Sequence, residues 1–186
     1  MLDVALAYNR YSFLGNEFLT WLWYTLENHA AQLAQIDADL SALEIGNRLV
    51  LENRRGEGLE TITIKGDDAG LEEGLLALGK GALVAEMNLL YRSGDHTWQF
   101  NLKGESLNIS NFKPPETGGA ETKEDIEGAV LEKIFLYEKV IRFVEGAFRH
   151  FIHLRVSENW ENELISPMRQ WIKKQSDGAQ AQPPLK

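Results

Sequence analysis

Leu14-Gly15-Asn16-Glu17-Phe18-Leu19-Thr20-Trp21-Leu22-Trp23-Tyr24-Thr25-Leu26-Glu27 sets four aromatic rings among four leucines. On a helix, Phe18, Leu22 and Leu26 share one stripe with Trp21 on its flank. Trp23 and Tyr24 point elsewhere, so the helix is apolar nearly all round and needs a core or a partner to enclose it. The run is too short to span a bilayer and carries Glu17 and Glu27 near its ends. Asn16 is the expected N-cap, with Glu17 at the positive end of the helix dipole. The rest of the chain is expected to fold around this helix.

Working outward, 186 residues that are 44% hydrophobic and 10% aromatic favour one domain with a real core. The absence of cysteine excludes disulfides and thiolate chemistry. No signal peptide is evident and no segment reaches transmembrane length, which fits a cytoplasmic protein. The net charge of −9 is unevenly placed. Residues 1–122 carry 9 Lys and Arg against 18 Asp and Glu, whereas residues 123–174 carry 9 of each. The acidic part repels phosphate backbones, so a nucleic-acid contact would have to come from the C-terminal helices or from local basic groups.

The pattern predicts an α+β fold: a central antiparallel sheet of meander and hairpin, an N-terminal Trp-rich helix and two C-terminal helices, one of them long. Met1 to Tyr8 reads as an added strand or a lead-in. His29 to Ile36 either continues the first helix or forms a loop. Leu40 to Asn53 is strand with a turn expected at Gly46-Asn47. Gly56 and Gly58 suit a hairpin into Leu59–Ile64. Asp67-Asp68 opens a short helix stopped by Gly79 and Gly81. A three-strand meander follows over Ala82–Tyr91, Thr97–Leu102 and Leu107–Phe112. The sheet-rich part is expected to end at about 113, with a linker over 114–122.

Residues 123–174 form the helical part. Ile126, Val130, Ile134, Tyr137, Ile141, Val144, Phe148, Phe151 and Ile152 mark one long helix to about Val156. Gly146 within it reads as the site of a close helix crossing. Ser157 is the expected N-cap of a last helix that Pro167 kinks or restarts. A single domain over 1–174 with a disordered tail over 175–186 completes the expectation.

The candidate site is Arg149, His150, His153 and Arg155, a local basic patch beside Phe148 and Phe151 that could dock a DNA backbone. Against it stands an ordinary solvated helix face, with Arg149 paired to Glu145 one turn away. His150 and His153 lack a third metal ligand at supporting spacing, and no metal or other cofactor is expected. Arg54 and Arg55 sit on a hairpin tip, where solubility is the simpler role. Gly79-Lys80-Gly81 matches no phosphate-binding loop, and no catalytic residue stands out. Asp67-Asp68 and Glu72-Glu73 are accounted for by a helix start. Phe148, Phe151, Trp160 and Trp171 are the expected surface for self-association, so a homo-oligomer is anticipated.

Two stretches carry a family resemblance: Phe13-Leu14-Gly15-x-Glu17-Phe18-Leu19-Thr20-Trp21-Leu22-Trp23, and Leu154-Arg155-Val156-Ser157-x-x-Trp160-x-x-Glu163 followed by Pro167 and Trp171. Together they resemble the RdgC-like, recombination-associated proteins of bacteria. That resemblance implies a cytoplasmic, non-enzymatic protein that binds duplex DNA or a recombination partner. It also implies ring-shaped dimers. The reading from a different class is a structural or oligomerisation module with no nucleic-acid role.

Overall fold

The computed structural model describes residues 13–55, 58–66, 69–116 and 123–181. Its elements are α1 (Phe13–His29), a 3-10 turn (Ala30–Gln35), β1 (Ala42–Arg55), β2 (Gly58–Lys65), α2 (Ala69–Gly79), β3 (Leu83–Ser93), β4 (His96–Lys103), β5 (Asn108–Lys113), α3 (Lys123–Arg155), a π-helical segment (Trp160–Ile165) and α4 (Ser166–Ala181). The strands form one antiparallel sheet in the order β2-β1-β3-β4-β5. The α+β architecture is the expected one. Met1–Tyr8, Gly56, Asp67-Asp68, the side chains of Arg54 and Arg55, and linker residues 117–122 lie outside what is described.

Period-2 alternation places Leu49, Leu51, Ile64, Met87, Leu89, Tyr91, Trp98, Phe100 and Leu102 on one buried face. All the helices cover that face. α1 lies centrally, with Phe18, Leu19, Trp21, Leu22, Trp23 and Tyr24 all buried. α3 packs beside it towards β4 and β5, through Phe143 against Tyr91 and the Trp98 indole N–H donating to the Leu136 carbonyl at 3.2 Å. α2 and α4 flank the other side, where Trp171 meets Trp23 and Tyr24. Thr20 joins α1 to the sheet. Its hydroxyl donates to the Asn16 carbonyl at 2.8 Å and accepts the Val84 N–H at 3.0 Å.

Several local expectations are corrected. Asn16 does not cap α1, because the helix already runs from Phe13. Its Oδ1 is buried without a hydrogen-bond partner. Tertiary packing overrides the cap preference here: Gly15 lies against Gly104, and a Cβ on Gly15 would overlap the Gly104 carbonyl. Gly46-Asn47 is not a turn. β1 continues through it as a bulge, with Ile45 opposite Leu89 and Leu49 opposite Met87, so three residues face Asn88. Gly46 is needed there because a Cβ would fall on the Asn88 Oδ1. α3 runs unbroken through Gly146, whose open side accepts Ile36 at the end of the 3-10 turn rather than another helix.

Ser157 does not cap the last helix. Its hydroxyl donates to the Leu154 carbonyl at 2.8 Å and closes the end of α3. Pro167 follows the π-helical segment without a break: the Ser166 N–H donates to the Glu161 carbonyl, and the helix passes from π to α winding at the proline, in keeping with a residue expected to kink or restart it. α4 then extends through Ala181, past the point at which the polar tail was expected to lose structure. Packing explains the extension: Ser176 is buried, close against Gly79 of α2.

The glycines separate these forces. Gly15→Ala should cost at least about 1–3 kcal/mol by forcing α1 off the β4–β5 turn. Gly128→Ala, in an α3 position with nothing within 4 Å, should stabilise by about 0.5–1 kcal/mol through helix propensity. Denaturant unfolding of the two variants should move the midpoint in opposite directions.

Candidate functional site

α3 is roughly 50 Å long at 1.5 Å per residue. Its second half offers two seams. Val140, Phe143, Ala147 and Phe151 are buried against the sheet and α1. Tyr137, Ile141, Phe148 and Ile152 instead line an open groove with Leu107, Asn108 and Ile109 at the start of β5, floored by the buried Val144. The groove has a volume of ≈ 690 Å³ and is rimmed by Glu145 and Arg149. Leu107 holds a left-handed backbone at φ 52, a conformation that costs a branched side chain about 1–2 kcal/mol.

The four residues of the expected basic patch do not converge. Arg149 is exposed at the groove rim, and the expected Arg149–Glu145 ion pair does not form. His153 is exposed one turn further along the same face. His150 turns inward, with its ring 6.0 Å from that of Trp21. Arg155 is committed elsewhere: its Nε donates to Glu17 at 3.0 Å and its guanidinium lies 5.0 Å from the Trp160 ring. Of the four, Arg149 and His153 thus remain exposed and without an ion pair among the described residues. Among the described residues no three His, Asp or Glu side chains are placed to hold a metal.

The aromatic residues expected to mediate self-association are also placed differently. Phe151 and Trp171 are buried, and Phe148 and Trp160 are half-buried, all packed around α1. An apolar helix with no exposed face takes them up.

The unpartnered surface lies in the first half of α3. From Ile126 to Phe135 every residue is exposed except the half-buried Ala129. Ile126, Val130 and Ile134 form one exposed stripe, and Leu131 and Phe135 a second, at 68% and 65% exposure. The signal was in the sequence: Leu131 and Phe135 are themselves four apart, so this half is apolar on two faces at once.

A second cleft, of ≈ 280 Å³, lies between α3 and the loop before β1. Tyr91 donates its hydroxyl to Asp37 at 2.6 Å, and Lys139 donates to Asp39 at 3.0 Å and Ser93 at 3.1 Å. Burial, reinforced by Asp37, raises the Tyr91 pKa well above its ordinary value, so this hydroxyl stays a donor. These contacts tie the loop to β3 and α3. Among the described residues no helix is long and apolar enough to cross a membrane.

Glu17 and Arg155 belong to the two separate stretches that carry the family resemblance, and here they form one unit. Phe18 and Trp21 pack on Phe151, which touches Trp160, while Trp171 closes on Trp23. Both stretches are therefore accounted for by packing within this chain. A double-mutant cycle of Glu17→Ala and Arg155→Ala should give a coupling of about 0.5–1 kcal/mol, as for a partly exposed pair. A coupling of zero in denaturant unfolding would detach the two stretches. Comparison of the chain with protein-family models, curated proteins and solved structures returned no match.

Proposed function

We propose that this protein is a non-catalytic binding module whose working surface is the first half of α3. One observation carries the reading: residues 126–135 form an exposed helix that is nonetheless rich in large apolar side chains. Solvated helices are ordinarily polar all round. Exposed apolar surface of this extent marks a site of contact. Photo-crosslinking in the native cell tests it. A crosslinker at Leu131 should capture a discrete partner, whereas one at the exposed Thr97 at the start of β4 should not. Equal labelling at both positions would sink the reading.

A second reading follows the resemblance to RdgC-like proteins and adds duplex DNA or a recombination protein in a cytoplasmic setting. Arg149 and His153 favour it, being exposed, four residues apart and free of ion pairs. Arg149→Ala should then weaken duplex binding equally for all sequences and reduce the logarithmic salt slope by about 0.9. Arg155→Ala should leave that slope unchanged, because Glu17 already neutralises Arg155. Absence of anisotropy change with wild-type protein at low salt would remove DNA from the account.

A further inference from the structure

We infer that the occupant of the exposed half of α3 is the same helix of a second copy, running antiparallel. This rests on the reading of α3 as the working surface and names its partner.

The argument starts from an apolar excess. Ile126, Val130, Leu131, Ile134, Phe135 and Tyr137 are all exposed. Phe135 faces the cleft beside Asp39, and at about 200 Å² per large side chain the other five present roughly 500 Å² per copy. Two copies would bury ~1,000 Å² from these side chains, the size at which a specific interface begins. Helical stability points the same way. A helical stretch of this length without packing is marginal in water, and Gly128 weakens it further.

Spacing then supplies the geometry. Val130, Ile134, Tyr137, Ile141, Val144 and Phe148 alternate at four and three residues, the heptad seam of paired helices. A two-fold axis between positions 135 and 136 sets Ile134 level with the partner copy's Tyr137 position and Val130 level with its Ile141 position. Farther out, the same operation lays the free first half of one helix along the second half of the other. That second half borders the groove of Ile141, Val144, Phe148 and Ile109. Ridge and groove lie on one helix, in the order an antiparallel pair requires. Such a contact is isologous and closes at two copies.

The chain contains no cysteine, so introduced ones report cleanly. Full-length protein should sediment as a dimer. Ile134→Glu, at an exposed position, should raise the dimer dissociation constant about thirtyfold or more while its circular dichroism and melting remain those of a folded monomer. Combined Ile134→Cys and Tyr137→Cys should oxidise to a covalent dimer. Glu127→Cys should not, because an antiparallel pair holds its two copies about 25 Å apart along the axis. A monomer at high micromolar concentration, or a dimer indifferent to Ile134→Glu, overturns the second copy as occupant. Ready crosslinking through Glu127→Cys overturns the antiparallel arrangement. A monomer that still captures another protein through Leu131 in cells leaves the binding-module reading standing and removes only this inference.

Discussion

Enclosure of α1 is the constraint on which the rest of the structure depends. A helix with Phe18, Leu19, Trp21, Leu22, Trp23 and Tyr24 all buried has no face to offer water. One sheet covers only part of it. The remaining circumference is closed by Phe148 and Phe151 of α3 and Trp171 of α4. Burial of each such side chain is worth about 1.5–3 kcal/mol, so this single element concentrates much of the driving force of folding. The C-terminal helices owe their position to it.

That dependence also bears on family resemblance. The Glu17–Arg155 pair and the rings around it join the beginning and end of the chain. Residues selected for such a contact recur wherever the same packing recurs, whatever the protein binds. The two stretches speak first to the architecture of this chain. Function has to be sought on surfaces that the enclosure of α1 leaves over.

Legibility in the sequence followed the range of the interactions. α1 was readable because its apolar density is local. The β3–β4–β5 meander was readable because alternation in Trp98, Phe100 and Leu102 is local too. The β1 bulge was not, since Gly46-Asn47 reads as a turn until Asn88 is known to lie opposite. The end of α4 was hidden for the same reason: its polar residues stay helical where Ser176 packs on α2. At the candidate site the basic residues were visible as charges, but the partner of Arg155 lies 138 residues away. Leu131 and Phe135 were visible as apolar residues, yet only the fold shows that nothing in the described chain covers them.

The polar face of the sheet has its own logic. Arg48 pairs with Glu86 at 3.0 Å, Glu86 accepts from Asn101 at 3.0 Å, Asn101 accepts from Asn88 at 2.6 Å, and Asn88 accepts from Gln99 at 2.9 Å. Asn88 and Asn101 are buried and bonded to each other. In a strand, slipping by one residue exchanges the two faces. A slip of β4 would drive Asn101 into the aromatic core without partners and expel Phe100 and Leu102 into water. The amide chain thus penalises one-residue slips at assembly far more than it stabilises the native alignment, and acts as a register key for the three central strands.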